Sequence, residues 1–159
     1  MKTIVLFTTV LLNALSTGFF FAWSVSVILG TKKVADFTYL ETMQSINREI
    51  INPMFFTVFF GSLITLLIST FFQFSFKPVF WILVASSALY LIGTIGVTAA
   101  GNVPLNNELE LLNLKTMDPD AWKSFRVYYE SKWNRYHLLR TLASTASFIL
   151  LVLAVFIKK

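Results

Sequence analysis

The chain has 159 residues, of which 56% are hydrophobic and only 13% are charged, and its mean hydropathy is +0.70. Soluble domains are about one quarter charged, so this composition excludes an ordinary soluble protein and indicates a one-domain integral membrane protein. The formal net charge of +5 does not predict nucleic-acid binding, because the sequence contains no basic stripe. With no cysteine and a single histidine, the chain cannot build a thiolate site or a multi-histidine site, so we expect no metal site.

Four apolar runs predict membrane-spanning helices. They cover residues 4–29, 54–76, 79–101 and 138–157. About 20 apolar residues cross a hydrocarbon core, so the first run predicts a tilted span and is too long for a signal peptide. The connection at Lys77 and Pro78 is so short that the second and third spans must be antiparallel neighbours. Asn52 and Pro53 predict the start of the second span, as its N-cap and first helical residue.

Two amphipathic segments predict helices outside the membrane, at about residues 38–51 and 119–137. Thr38 followed by Glu41 fits a capping box, which places the N-cap of the first of these helices at Thr38. Asp118, directly before a proline, predicts the N-cap of the second, and no helix breaker follows. The second helix should therefore continue into the fourth span. Its aromatic side chains recur every three or four residues and should face the bundle: Trp122, Phe125, Tyr129 and Trp133.

These elements predict an all-α fold, an integral membrane antiparallel four-helix bundle formed as one domain by residues 1–159. Both extramembrane helices should lie on the side opposite the termini. The terminal side carries four lysines next to the spans and no acidic residue: Lys2, Lys77, Lys158 and Lys159. The other side carries nine Lys and Arg residues together with all eight acidic residues, so the positive-inside rule alone does not decide the orientation. Because the four lysines are unpaired and lie beside the spans, we expect the termini in the cytoplasm and a multi-pass protein of a bacterial inner membrane.

The most unusual polar stretch runs from Trp133 to Arg140, where the last polar segment passes into the fourth span. It contains the only histidine, His137, and ionisable groups at this depth are costly and mark functional candidates. On a helix, Trp133, His137 and Arg140 share one face because they are four and three residues apart. A second polar stretch, residues 101–107, ends the third span on the same side. We therefore expect its amides, Asn102 above all, to meet the first stretch at the mouth of the bundle.

Four blocks of sequence carry a resemblance to a known family. They are Gly18-Phe19-Phe20-Phe21-Ala22-Trp23, then Gln44-Ser45-Ile46-Asn47-Arg48 with Ile51-Asn52-Pro53, then Gly101-Asn102-Val103-Pro104-Leu105-Asn106-Asn107-Glu108-Leu109, and last Trp133-Asn134-Arg135 with His137 and Arg140. Through these blocks, nearly the whole chain resembles the anthrone oxygenase-like family of small four-span membrane proteins. The resemblance implies an oxidoreductase of the monooxygenase type that converts a flat, lipophilic anthrone-type ketone to a quinone without a metal, a flavin or another cofactor.

The implied reaction assigns roles to these residues. An anthrone has an acidic C–H, and removing that proton gives an enolate that is electron-rich enough to react with oxygen directly. The enzyme then needs a base, donors for the oxyanion and an apolar pocket that excludes water. His137 is the candidate base, and Asn102 and Arg140 are candidate catalytic groups that stabilise the oxyanion. The remaining candidates are expected to bind the substrate: Asn106, Trp133, Arg135, Trp23, Gln44 and Asn47.

The same residues also have a structural interpretation. His137 would cap backbone or neighbouring groups, and the two arginines would reach lipid headgroups or pair with Glu49 and Glu108. The asparagines of the second stretch would brace the third span where Pro104 interrupts it. The corresponding function is a non-catalytic membrane protein that binds a lipid, a quinone or a partner subunit. In either case the expected partners are the lipid bilayer and a lipophilic aromatic small molecule, with a homo-oligomer as an open alternative and no nucleic acid.

Overall fold

The computed structural model describes the backbone of residues 2–157 and the side chains of residues 3–157, and within this range the regular structure is helical, without strands. The helices are α1 (Lys2–Ala22, continued by Trp23–Val27 and Ile28–Thr31), α2 (Asp36–Glu49), α3 (Pro53–Phe72), α4 (Lys77–Ala88, continued by Leu89–Gly96, Thr98–Asn102 and Val103–Glu110) and α5 (Pro119–Ile157). A short 3₁₀ turn, Leu114–Thr116, precedes α5. Helices α1, α3, α4 and α5 are long and apolar enough to cross a membrane. The predicted all-α four-helix bundle is therefore confirmed.

The four long helices pack in a ring. Helix α1 lies against α3 and α5, and α4 closes the ring by packing on the same two helices. Helix α2 lies across one end of the bundle, where it packs on α5 and on the last turns of α4. An apolar cluster under α2 includes Leu40, Leu109 and Tyr129, and it is separate from the cluster between the spans, which includes Leu66 and Leu83.

Buried polar side chains of α1 join the spans. Asn13 Nδ2 donates to the carbonyl oxygen of Ser62 on α3 over 3.3 Å, and the hydroxyls of Ser16 and Tyr90 are 2.7 Å apart. Interhelical hydrogen bonds of this kind are typical of membrane bundles, because a polar side chain that faces lipid lacks a partner. These bonds fix the register of α1 against its neighbours. They therefore also fix the position along the bundle axis of the residues at the C-terminal end of α1.

Two of the three predicted helix starts are confirmed. The Asn52 side chain accepts a hydrogen bond from the backbone N–H of Phe55 at 2.9 Å, as an N-cap does. Asp118 Oδ1 accepts from the backbone N–H of Ala121 at 2.8 Å, and α5 then runs without interruption to Ile157. The sequence thus determines where both long helices begin.

The predicted cap at Thr38 is wrong. Helix α2 begins two residues earlier, at Asp36, with Ala35 as its N-cap, so Thr38 lies inside the first turn. Asp36 sits in that turn and binds Arg126 of α5 over 2.9 Å. A carboxylate in the first turn of a helix is favoured by the helix dipole, and the ion pair adds to this preference. The helix therefore begins at a residue with a favourable first-turn charge and a partner on α5, and not at the capping box predicted from the sequence.

The predicted interruption at Pro104 is also wrong. Helix α4 continues through it to Glu110, because the turn before the proline is a π turn. In this turn the backbone N–H of Val103 reaches the carbonyl oxygen of Thr98, five residues back. Pro104 then occupies the first turn of the following α segment, where a missing N–H leaves no bond unmade. The amides of α4 consequently lie on a continuous helix that faces α5.

Candidate functional site

A cavity of about 640 Å³ opens near the end of the bundle that α2 covers. Small-molecule sites usually have volumes of about 300–1,000 Å³, so the space suits a ligand of several fused rings. Its walls are mainly apolar and come from α1, α3 and α4: Phe19, Phe20, Trp23, Phe55, Phe56, Phe59, Phe60, Ile95, Ala99 and Val103. The aromatic side chains of α3 and of the end of α1 therefore line part of the cavity wall and do not only contact lipid.

Six of the nine predicted site residues line this cavity. They are Trp23, Asn47, Asn102, Asn106, Trp133 and Arg140. His137 is buried directly behind Trp133 and Arg140, whereas Arg135 is exposed on the outer face of α5. Gln44 is used elsewhere, since its Nε2 donates to the carbonyl oxygens of Leu109 and Leu112 where α4 ends. The structure thus brings together the two polar stretches, places His137 behind the cavity wall, and leaves Arg135 and Gln44 away from the cavity.

π-helical segments of α1 and α4 lie at the level of the cavity: Leu89–Gly96 contributes Ile95 to its wall, and two others hold polar side chains that face α5. Trp23–Val27 in α1 carries Ser24, and Thr98–Asn102 in α4 carries Thr98 and Asn102 at its two ends. A π turn adds a residue to the helical turn, widens it and rotates the side chains that follow, and such turns are frequent at functional sites. Here they aim a hydroxyl from α1 and a hydroxyl and an amide from α4 towards the face of α5 that carries His137 and Arg140.

His137 is 1% exposed, and its hydrogen bonds involve both ring nitrogens. Nδ1 accepts from Arg140, with Nε 3.2 Å and Nη2 3.1 Å away, and Nε2 lies 2.9 Å from Ser24 Oγ. Arginine can only donate, so Nδ1 must carry the lone pair, and the proton of a neutral imidazole must be on Nε2. Trp133 stacks on the ring, with centroids 5.2 Å apart and planes 8° from parallel. The basic lone pair of His137 is therefore available only when Arg140 moves away from it.

Arg140 forms the polar end of the cavity. Its guanidinium carbon lies 4.8 Å from the ring centroid of Phe20 and 5.1 Å from that of Trp133, so it is held between two aromatic faces. Beyond the bonds to His137, Nη1 donates to Thr98 Oγ1 over a long 3.4 Å. Arg140 thus reaches neither lipid headgroups nor the acidic residues considered from the sequence. It presents a cation to an apolar space.

The two asparagines of α4 contribute differently. Asn102 is 1% exposed; its Nδ2 donates to the carbonyl oxygen of Trp133 at 3.2 Å, and its Oδ1 has no hydrogen-bond partner among the described residues. Asn106 Oδ1 accepts from Trp133 Nε1 at 2.9 Å and from the Tyr129 hydroxyl at 3.0 Å. Of the two N–H groups of Asn102 Nδ2, one is therefore bound to the backbone, and the side-chain atom without any partner is the acceptor Oδ1.

With this geometry described, the chain can be compared with known proteins. A family model described as anthrone oxygenase matches residues 54–150. This protein belongs to the anthrone oxygenase family. No curated protein and no solved structure matches the chain.

The part of this anthrone oxygenase family member that matches contains α3, α4 and the site-bearing part of α5. Asn102, Asn106, His137 and Arg140 all lie within it. The residues that α1 and α2 contribute, such as Trp23 and Asn47, lie outside it. The matched region therefore includes the polar end of the cavity and the phenylalanine-rich wall on α3.

Sequence reasoning missed two hydroxyl groups of this site. Ser24 holds Nε2 of His137, and Thr98 accepts from Arg140. Thr98 precedes Asn102 by four residues and could have been placed on the same face, but the π turn alters that spacing. Nothing in the sequence pairs Ser24 with a histidine on another helix. Among the described residues, no group of three or more His, Asp and Glu side chains could hold a metal ion.

The rim of the cavity carries an ion pair. Arg48 of α2 and Glu110 of α4 approach to 2.8 Å, and both side chains remain substantially exposed. Exposed pairs of this kind contribute about 0–1 kcal/mol. The pair therefore connects α2 to α4 only weakly, while it neutralises the second arginine that borders the cavity.

Proposed function

We propose that this member of the anthrone oxygenase family is a membrane oxygenase that converts a flat, lipophilic anthrone-type ketone to a quinone without a bound cofactor. The observation that carries the proposal is the position of Arg140, a buried cation at one end of an aromatic cavity. An enolate oxygen needs such a donor when negative charge develops on it. The cavity walls supply the dry surroundings in which that stabilisation is strongest.

The overall reaction is the oxidation of a CH₂ group by one molecule of oxygen to a carbonyl group and water. Loss of one proton from the CH₂ carbon gives the enolate, which transfers electrons to oxygen and forms a C–O bond. The resulting peroxide takes up a proton and becomes a hydroperoxide. Loss of the second C–H proton then forms the C=O bond and breaks the O–O bond, and the departing hydroxide leaves as water. The ketone is oxidised by four electrons and oxygen is reduced by four.

Two residues of α5 are proposed to act in sequence. When the ketone oxygen of the substrate binds Arg140, it replaces His137 Nδ1 as the acceptor of the guanidinium N–H groups. The lone pair of Nδ1 then becomes free to accept the substrate proton, and the Ser24 hydroxyl accepts from Nε2–H and holds the ring in position. The role of His137 as the base stays a prediction. It requires that the substrate oxygen replace Nδ1 as the acceptor of Arg140.

We also propose the orientation in which the termini lie in the cytoplasm of a bacterial inner membrane and α2 lies on the opposite side. Support comes from the lysines beside the spans on the terminal side and from the short turn between α3 and α4. Cysteines introduced at Thr38 and Lys115, both exposed, should react with a membrane-impermeant reagent only from outside the cell. Reaction only after the cells are opened would reverse the orientation.

The activity is tested by oxygen consumption of the purified full-length protein in detergent or nanodiscs with an anthrone. Uncatalysed autoxidation is subtracted, and the quinone is measured by its absorbance. We expect one oxygen consumed for each quinone formed, at a rate proportional to protein concentration. If anthrones are not oxidised above background, the function to adopt is non-catalytic binding of a lipid or a quinone in the same cavity.

A further inference from the structure

Arg140 is a buried charge that lacks an opposite charge. Its acceptors among the described residues are His137 Nδ1 and Thr98 Oγ1, and both are neutral. The ion pairs of the described chain involve the other buried arginine, Arg126, and the rim residue Arg48. Arginine side chains stay protonated in proteins, so the positive charge at Arg140 remains.

An unpaired charge inside a membrane bundle is unfavourable. Removing a guanidinium from water costs several kcal/mol, and this cost is usually offset by a carboxylate or by a bound anion. The rings of Phe20 and Trp133 offset part of it, because cation–π contacts contribute about 0.5–2 kcal/mol each. The described residues supply no negative charge that offsets the rest.

The other polar groups around the cavity do not supply a competing donor of this strength. Trp133 Nε1 is bound to Asn106, and Asn102 Nδ2 is bound to the backbone of Trp133. Arg48 is neutralised by Glu110 at the rim. A ligand that enters the cavity therefore meets one strong and incompletely used donor, the guanidinium of Arg140.

We infer that the cavity binds its ligand as an organic anion, with the anionic oxygen paired to Arg140 and a planar apolar body between the aromatic walls. The ligand class is the conjugate base of a lipophilic aromatic acid, such as an enolate, a phenolate or a carboxylate. This inference rests on the proposed function and deepens it, because the bound state of the ketone is then its enolate. Guanidinium pairs well with such oxygens, since its N–H groups form charge-assisted and often bidentate hydrogen bonds.

The test uses two unreactive fluorescent probes of the same shape, 9-anthracenecarboxylate and the neutral 9-anthracenecarboxamide. Binding is measured with the full-length protein in nanodiscs of zwitterionic lipid, so that membrane charge does not attract the anion. We expect the carboxylate to bind about 10- to 100-fold more tightly than the carboxamide, which is what one hydrogen bond to a charged group provides. Equal affinities for the two probes would overturn the inference.

Variants locate the preference. Arg140→Gln should abolish the preference for the carboxylate while leaving carboxamide binding intact, and the latter reports a folded cavity. Lys132→Gln, which removes an exposed cation elsewhere on the same helix, is the control and should keep the preference. If Arg140→Gln does not fold, Thr98→Asp provides the second variant, because it places a carboxylate next to Arg140. A carboxylate preference that survives in the variant that folds would overturn the inference.

A competition with oleate separates this inference from the proposed function. If oleate displaces 9-anthracenecarboxylate as effectively as a second planar acid does, the cavity still binds anions through Arg140, but the planar anthrone-type substrate is then not favoured. If only planar acids displace the probe, both the anion inference and the anthrone proposal are supported. Failure of anthrone oxidation with a retained carboxylate preference would reject the oxygenase alone.

Discussion

Helix α5 carries two buried arginines that have different hydrogen-bond acceptors. Arg126 donates to Asp36 and Glu130, and also to the carbonyl oxygens of Thr31, Lys32 and Val34. Arg140, equally buried, donates only to a neutral imidazole and a hydroxyl. Each guanidinium also lies over an aromatic ring, Tyr39 for Arg126 and Phe20 for Arg140. What differs is the presence of negative charge and backbone acceptors.

The difference teaches which arginine is structural. Arg126 satisfies carbonyl groups at the end of α1, so it connects α1, α2 and α5. Arg126 does not border the cavity. Burial raises the pKa of the Tyr39 phenol beneath it, so this phenol stays neutral. Arg140 has no such set of partners and borders a cavity. Its proposed role is therefore ligand binding, and substitutions at four positions test this contrast.

The largest effect is expected at His137, which accepts the hydrogen bonds of Arg140 where Arg126 has carboxylates. His137→Ala should lower turnover by about 100- to 10,000-fold, the range for loss of a general base. His137→Gln keeps an acceptor for Arg140 but cannot act as a base. We expect it to bind 9-anthracenecarboxylate like the unmodified protein and to turn over as slowly as His137→Ala. If the glutamine variant recovers oxygen consumption, His137 holds Arg140 in place and the base is another group.

The second test makes Arg140 resemble Arg126. Thr98→Asp places a carboxylate beside the guanidinium, and turnover should fall by about 100- to 1,000-fold, as for loss of an oxyanion donor. The unfolding temperature of the ligand-free protein should not fall, because the buried charge gains a partner. Thr98→Asn, of the same size and neutral, should lose about tenfold or less. Equal losses in the two variants would mean that shape, and not charge, matters at this position.

The third test removes the structural arginine. Arg126→Gln leaves the carboxylates of Asp36 and Glu130 without their cation and the end of α1 without its donors. The side chains of Asp36 and Glu130 are 37% and 18% exposed, so this is not a fully buried pair; we expect a loss of at least about 1.5–3 kcal/mol, the contribution of one hydrogen bond to a charged group, and a clear drop of the unfolding temperature in detergent. Turnover per folded molecule should be unchanged, since Arg126 does not line the cavity. Lys123→Gln, an exposed cation on the same helix, serves as the control, and an equally small effect in both variants would contradict the structural assignment.

The smallest effect is expected at Arg135, which the sequence included among the substrate-binding candidates. The side chain is exposed and lies outside the cavity. Arg135→Gln should change stability by no more than about 0.5 kcal/mol, and turnover by a correspondingly small factor. If Arg135→Gln lowered turnover as much as Thr98→Asp, Arg135 would be a second cation of the site. The contrast between the two buried arginines would then be weaker.

Much of the fold could be predicted because local signals determine it. Uncharged runs of sufficient length gave the spans, and the caps at Asn52 and Asp118 use side chains next in sequence to the helices they start. Prediction failed where a distant partner or a change of helix type intervenes. Helix α2 begins at Asp36, which binds Arg126 of α5, and α4 continues through Pro104 after a π turn.

The site was predictable in part for the same reason. Trp133, His137 and Arg140 share a face by their spacing alone, and both polar stretches occur at the same end of the bundle. The sequence could not determine which hydrogen bonds each side chain forms. One N–H of Asn102 is bound to the backbone of Trp133 on α5, and Arg126 has an acidic partner on another helix, Asp36 of α2, whereas Arg140 has none among the described residues. Partners of this kind depend on packing between helices, which the periodicity of one helix does not encode.

The account is tested most directly by the spectrum of an anthrone bound to the full-length protein without oxygen. If Arg140 binds the substrate as an anion, the bound ligand should show the long-wavelength absorption of the enolate at a pH where the free anthrone remains the ketone. Admitting air should then convert it to the quinone, with one oxygen consumed for each ligand. A bound ligand that keeps the spectrum of the neutral ketone, or that yields no quinone faster than buffer alone, would contradict the account.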